Sequence, residues 1–108
     1  MAKQIPTEFS FMNQTWRIRP AGHNELKDSM GQCDPMTNTI MVDPTLPPDV
    51  LLQTIFHEIL HSWELTLQLD MPDRTVDLMA LSLIHFFKTN PGYAELFMEV
   101  TDDTTTTR

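Results

Sequence analysis

Cysteine is almost absent: Cys33 is the single one among 108 residues. No internal disulfide can form, so any metal site has to be assembled from histidine and carboxylate ligands. Cys33 stands between Gln32 and Asp34 in an expected strand, the setting of a structural thiol and not of a reactive one. Positive charge is also scarce, with 7 Lys and Arg against 15 Asp and Glu and a formal net charge of -8. Such a surface repels phosphate backbones and anionic headgroups, which excludes nucleic acid and membrane as main partners and leaves a peptide or protein. No apolar run approaches the ~20 residues that cross a bilayer. Behind its lysine, Met1-Ala2-Lys3-Gln4-Ile5-Pro6 has no apolar segment of a secretory signal, so a cytoplasmic location is expected. No internal repeat is visible.

Hydrophobic residues make up 41% of the chain, enough for one core. A single domain over residues 1–100 is expected, followed by a disordered acidic, threonine-rich tail over 101–108 that has no apolar anchor. Phe9 to Met12 and Thr15 to Arg19 alternate around Asn13-Gln14 and predict a β-hairpin, which Pro20-Ala21-Gly22 ends. A second hairpin is predicted from Met30–Asp34 and Thr39–Asp43, joined by the turn residues Pro35 to Asn38. Residues 23–29 read as a short helical turn or a loop. Pro48 suits a first helical position, and a helix is expected from there to about Leu69. Val76, Met79, Ala80, Leu83, Ile84 and Phe87 repeat at helical spacing and predict a second long helix over Pro72 to Lys88. Asn90-Pro91 precedes a third, shorter one. The class is therefore α+β, a small antiparallel sheet of two hairpins packed on the first long helix, with two further helices.

The first long helix carries His57-Glu58-Ile59-Leu60-His61. A step of four residues is slightly more than one helical turn, so His57 and His61 project from one face as two ligands for one metal. Glu58, one residue around, can reach a water on that metal and not the metal itself, the position of a general base. Apolar residues at 51, 52, 55, 56, 59, 60 and 63 frame the pentad as an amphipathic helix. Zn2+ is the cofactor this pattern predicts, with three protein ligands and one open position.

The third ligand is left open by spacing. Glu64 shares the stripe of 57 and 61, yet lies about 10 Å along the axis from His57. Asp73 and Asp77, a four-residue pair near the start of the second long helix, carry no such restriction. His23, His85 and Tyr93 are the remaining groups with chemistry to offer, and His85 is about 18 Å beyond Asp73 by helical rise.

The order of two hairpins, a proline-rich turn, the HEILH helix and Asp73-Arg74-Thr75-Val76-Asp77-Leu78-Met79-Ala80 resembles compact gluzincin-type metallopeptidases of the ImmA/IrrE kind, including small phage-encoded members. The likeness covers about residues 9–97. It implies a minimal zincin-like fold and places a metal ligand at Asp73, where the family has Glu, and a supporting group at Asp77, with Ala80 on the family's alanine. Asp73 is one methylene shorter than glutamate, so the second long helix must approach more closely or another group must serve. The implied activity is zinc-dependent endoproteolysis of a protein substrate, with Glu58 as general base, in the host cytoplasm if the chain is phage-encoded. The Thr39–Asp43 strand is the expected edge for an extended substrate. Two other readings remain: a metal-stabilised binding or regulatory protein with little or no catalysis, and a structural or assembly protein whose eight methionines suit an adaptable interface. Oligomeric state is not indicated.

Overall fold

The computed structural model of the chain describes residues 5–104. Its elements run β1 (Glu8–Phe11), β2 (Gln14–Pro20), α1 (His23–Leu26), β3 (Gly31–Asp34), β4 (Thr39–Val42), α2 (Pro48–Leu67), α3 (Asp73–Thr89) and α4 (Gly92–Thr104). The fold is α+β, with four helices and one four-stranded sheet in the order β1-β2-β4-β3. No helix among the described residues is long and apolar enough to cross a membrane.

Both hairpins form, but the sheet they build is mixed and not antiparallel. β2 and β4 lie side by side in parallel, Ile18 opposite Ile40, while β1–β2 and β3–β4 are antiparallel. Composition explains which strand takes the middle. β4 carries Ile40 and Val42, both buried, whereas β3 reads Gly-Gln-Cys-Asp and tolerates an edge. Thr39–Val42 is therefore central and cannot receive a peptide, contrary to expectation; β3 is the free edge on that side. The first turn also falls one residue earlier than the alternation indicates. Phe11 pairs with Gln14, and the two-residue loop is Met12-Asn13 with φ of 50° and 66°. Two left-handed residues make a type I′ turn, whose twist matches that of the strands.

α2 buries two stripes. Leu51, Ile55 and Ile59 pack onto the sheet against Trp16, Ile40 and Val42. Phe56, Leu60 and Trp63, about 100° around, pack onto α3 against Val76, Ala80 and Leu83. A third face is left over, and it carries His57, His61 and Glu64. α2 ends at Gln68, whose left-handed backbone (φ 58°) lets its N–H and that of Leu69 close on the carbonyl of Glu64. The chain then turns through Met71 and enters α3 from Pro72. α4 continues to Thr104, so the start of the expected tail is helical, and residues 105–108 lie outside the described residues.

Met12 in a left-handed conformation is a local conflict, since Asn-Gly is the pair best suited to a type I′ turn. Replacing Met12-Asn13 with Asn-Gly is expected to stabilise the protein by about 0.5–1 kcal/mol and raise Tm by a few degrees, read by thermal unfolding. An unchanged or lowered Tm contradicts the turn assignment.

Candidate metal centre

The histidine face of α2 meets the first turn of α3. His61 Nε2 lies 3.1 Å from His57 Nε2 and 3.0 Å from Asp73 Oδ1, and His57 Nε2 lies 3.4 Å from the same oxygen. A tetrahedral ion with ligands at about 2.0–2.1 Å holds its donor atoms roughly 3.3–3.4 Å apart. The triangle is thus of the size a first-row metal ion requires, and His57, His61 and Asp73 form a group able to hold one. Their chemistry agrees with the geometry. Two imidazole lone pairs and a carboxylate aimed at one point repel each other unless a proton or a metal cation lies between them.

The opposite ring nitrogens make the outer contacts that prescribe the tautomer. His57 Nδ1 is 3.3 Å from Asp77 Oδ1, and His61 Nδ1 is 3.0 Å from Glu64 Oε1. With Nδ1 protonated on both rings, each donates to its carboxylate and keeps Nε2 free to bind. Glu64 therefore lies outside the triangle. Its other oxygen accepts the Met71 N–H at 2.8 Å, which ties the base of the site to the turn between α2 and α3. Asp77 is braced in turn by the Gln53 amide at 3.3 Å. Neither Glu64's role nor Gln53 was assigned from sequence; the signal for Gln53 was its place four residues before His57 on the same helical face.

Asp73 does reach the histidines despite its short side chain, because Leu60, Val76 and Ala80 are fully packed between the helices and let α3 approach. Its side chain remains 81% exposed, so the triangle is open to solvent on that side. The opening leads into a cleft of about 730 Å3 lined by α2, the start of α3 and the segment Asp28–Gly31 that leads into β3. His23, His85 and Tyr93 do not line it. His85 borders a separate hollow with Leu78 and Phe86, and Tyr93 packs on Phe86 at 5.4 Å.

Glu58 falls between the histidine face and the sheet-facing stripe of α2, and it is buried, with 7% of its surface exposed. Gly31 makes this possible. A Cβ at that position would stand 2.8 Å from Thr54 Cγ2 and 3.2 Å from Glu58 Cγ, so only glycine lets β3 lie so close to the helix. The Glu58 carboxylate makes no hydrogen bond among the described residues. Burial raises its pKa, the neighbouring His57 and His61 partly counter this, and Asp73 adds to it. The result is a carboxylate more basic than usual beside the triangle. Asp73 is shifted the other way, chiefly by its contact with His61, and Glu64 by the Met71 N–H and then by His61. For His61, burial opposes protonation, but Glu64, Asp73 and Glu58 outweigh it and the pKa rises. Cys33 is half-buried and burial, with Glu58 and Asp34 nearby, pushes its thiol up to about 12, so it is inert.

Compared with known proteins, the chain matches no family profile, no curated protein and no solved structure.

If the triangle holds a metal, His57→Ala or His61→Ala should abolish binding of one zinc per chain, and Asp73→Asn should weaken it strongly. Asp77→Asn and Glu64→Gln should each cost about 10-fold to 100-fold, as losses of orienting partners do. Zinc retained at full stoichiometry in the double histidine variant contradicts the assignment. A proton on His61 competes with the metal. Because the folded-state pKa of His61 is raised, the proton's own stabilisation of the metal-free protein is present at low pH and lost as pH rises through that pKa. Zinc affinity should show the mirror image, falling as pH drops below it by up to about tenfold per unit for one displaced proton. Competition titrations with a chelator across that range measure this, and a flat profile contradicts it.

Proposed function

We propose that the chain is a minimal zincin-like, zinc-dependent endopeptidase acting on a protein or peptide substrate. The observation that carries it is the pairing of an open two-histidine, one-carboxylate triangle with a buried, unpartnered and basic Glu58 on the same helix. A purely structural zinc site is closed by four protein ligands and has no use for such a base. Zn2+ bound there would supply a Lewis acid, able to polarise the scissile carbonyl and acidify a water molecule.

The chain's own residues do the rest. His57, His61 and Asp73 would hold the ion, and Asp77 and Glu64 would fix the imidazoles. The substrate strand would add to the free edge of β3. Met30 and Asp43 form a hydrogen-bonded pair, with Asp43 N–H on Met30 O at 3.0 Å, so by antiparallel alternation Gly31 and Cys33 turn their N–H and C=O outward to that edge. Glu58 takes a proton as the water oxygen adds to the carbonyl carbon, then passes it to the nitrogen as the C–N bond breaks. A raised pKa suits both halves of that transfer.

A metal-stabilised binding protein is the second reading, favoured by the absence of His23, His85 and Tyr93 from the cleft. Glu58→Gln separates the two. As a peptidase the variant should keep zinc and fold but lose at least about 10²-fold in cleavage rate. Unchanged biological effect, with no zinc-dependent cleavage products by mass spectrometry, overturns the enzyme in favour of the binding protein.

A further inference from the structure

We propose that Arg74 is a further catalytic residue of this cleft, donating to the scissile carbonyl oxygen as that atom gains negative charge. The proposal rests on the hydrolytic reading above. When the water oxygen adds to the carbonyl carbon, the C=O electron pair moves onto oxygen, and preformed donors at that point are worth far more than donors recruited from water. The pair returns to re-form C=O as the C–N bond breaks and the nitrogen takes the proton held by Glu58. Arg74 neither gives nor takes a proton in this sequence.

The neutral side-chain donors of the cleft already have internal acceptors. The Ser29 hydroxyl donates to Leu26 O at 2.6 Å, the Thr54 hydroxyl to Val50 O at 2.8 Å, and the Gln53 amide to Asp77 at 3.3 Å. Both imidazoles are engaged at each nitrogen. Arg74 differs from all of them. It stands in the first turn of α3, one residue after Asp73, lines the same cleft and is exposed. Its guanidinium makes no hydrogen bond or ion pair among the described residues, although Asp28, Glu58, Asp73 and Asp77 all line that cleft. In a chain of net charge -8, an unpaired arginine amid four carboxylates is not short of partners. It lines the space a substrate would fill. Guanidinium is charged at any working pH and offers five N–H groups, so it can follow an oxygen from planar to tetrahedral geometry.

Because Arg74 is exposed, its replacement should leave the fold and the triangle intact, and zinc content and Tm of each variant check this. Zinc-loaded wild type, Arg74→Ala and Arg74→Lys are then titrated by calorimetry with N-phosphoryl leucylalanine, whose tetrahedral anion mimics the charged carbonyl, and with N-acetyl leucylalanine, its planar counterpart. Arg74→Ala should weaken the phosphoryl compound by about 10²-fold to 10³-fold and the acetyl compound by no more than about twofold, with Arg74→Lys in between. Equal weakening of both probes, or of neither, overturns the role of Arg74 and leaves hydrolysis standing. Wild type that does not prefer the phosphoryl compound overturns the hydrolytic reading and this proposal with it.

Discussion

Two imidazole nitrogens and one carboxylate oxygen converge within 3.0–3.4 Å of one another, and much of the molecule exists to keep them there. With neither a proton nor a metal ion between them the three would move apart, since like lone pairs at that distance gain nothing. The convergence is held by apolar contact some way off. Leu60, Val76 and Ala80 form a small cluster with essentially no exposed surface, and that cluster sets how near α3 comes to α2. A larger residue at Ala80 would lift Asp73 away from the histidines.

The same helix answers to three neighbours at once. One stripe of α2 is taken by the sheet, the next by α3, and only the remainder is free for chemistry. Glu58 sits at the seam, which is why it is buried and basic while the histidines one step around stay partly open. Gly31 completes the seam by allowing β3 to close over the glutamate without collision. The elements that carry the site are thus the same elements that carry the core, as expected where so few elements have to do both.

Much of this was legible in the residues, because the strongest signals were local. The periodicity of 48–69 and 72–88 gave both long helices to within a few residues, and the four-residue histidine step placed both imidazoles on one face. What was not legible depended on pairing between distant segments. Alternation identifies hairpins but not which strand of one hairpin docks on which strand of the other, so the parallel β2–β4 contact and the central place of β4 were missed. Glu64 shared a stripe with the two histidines and was weighed as a ligand; only the path of the chain through Gln68 and Met71 reveals that its carboxylate is held between His61 and the Met71 N–H. The reach of Asp73 was equally a tertiary matter, decided by packing at Val76 and Ala80 and not by side-chain length.

Metal speciation in the purified protein tests the central claim most directly. X-ray absorption at the zinc edge should report one ion per chain with two imidazole nitrogens and oxygen donors at about 2.0–2.1 Å and no sulfur. A chain that takes up no zinc, or a first shell containing the Cys33 sulfur or lacking imidazole, would contradict the account at its foundation.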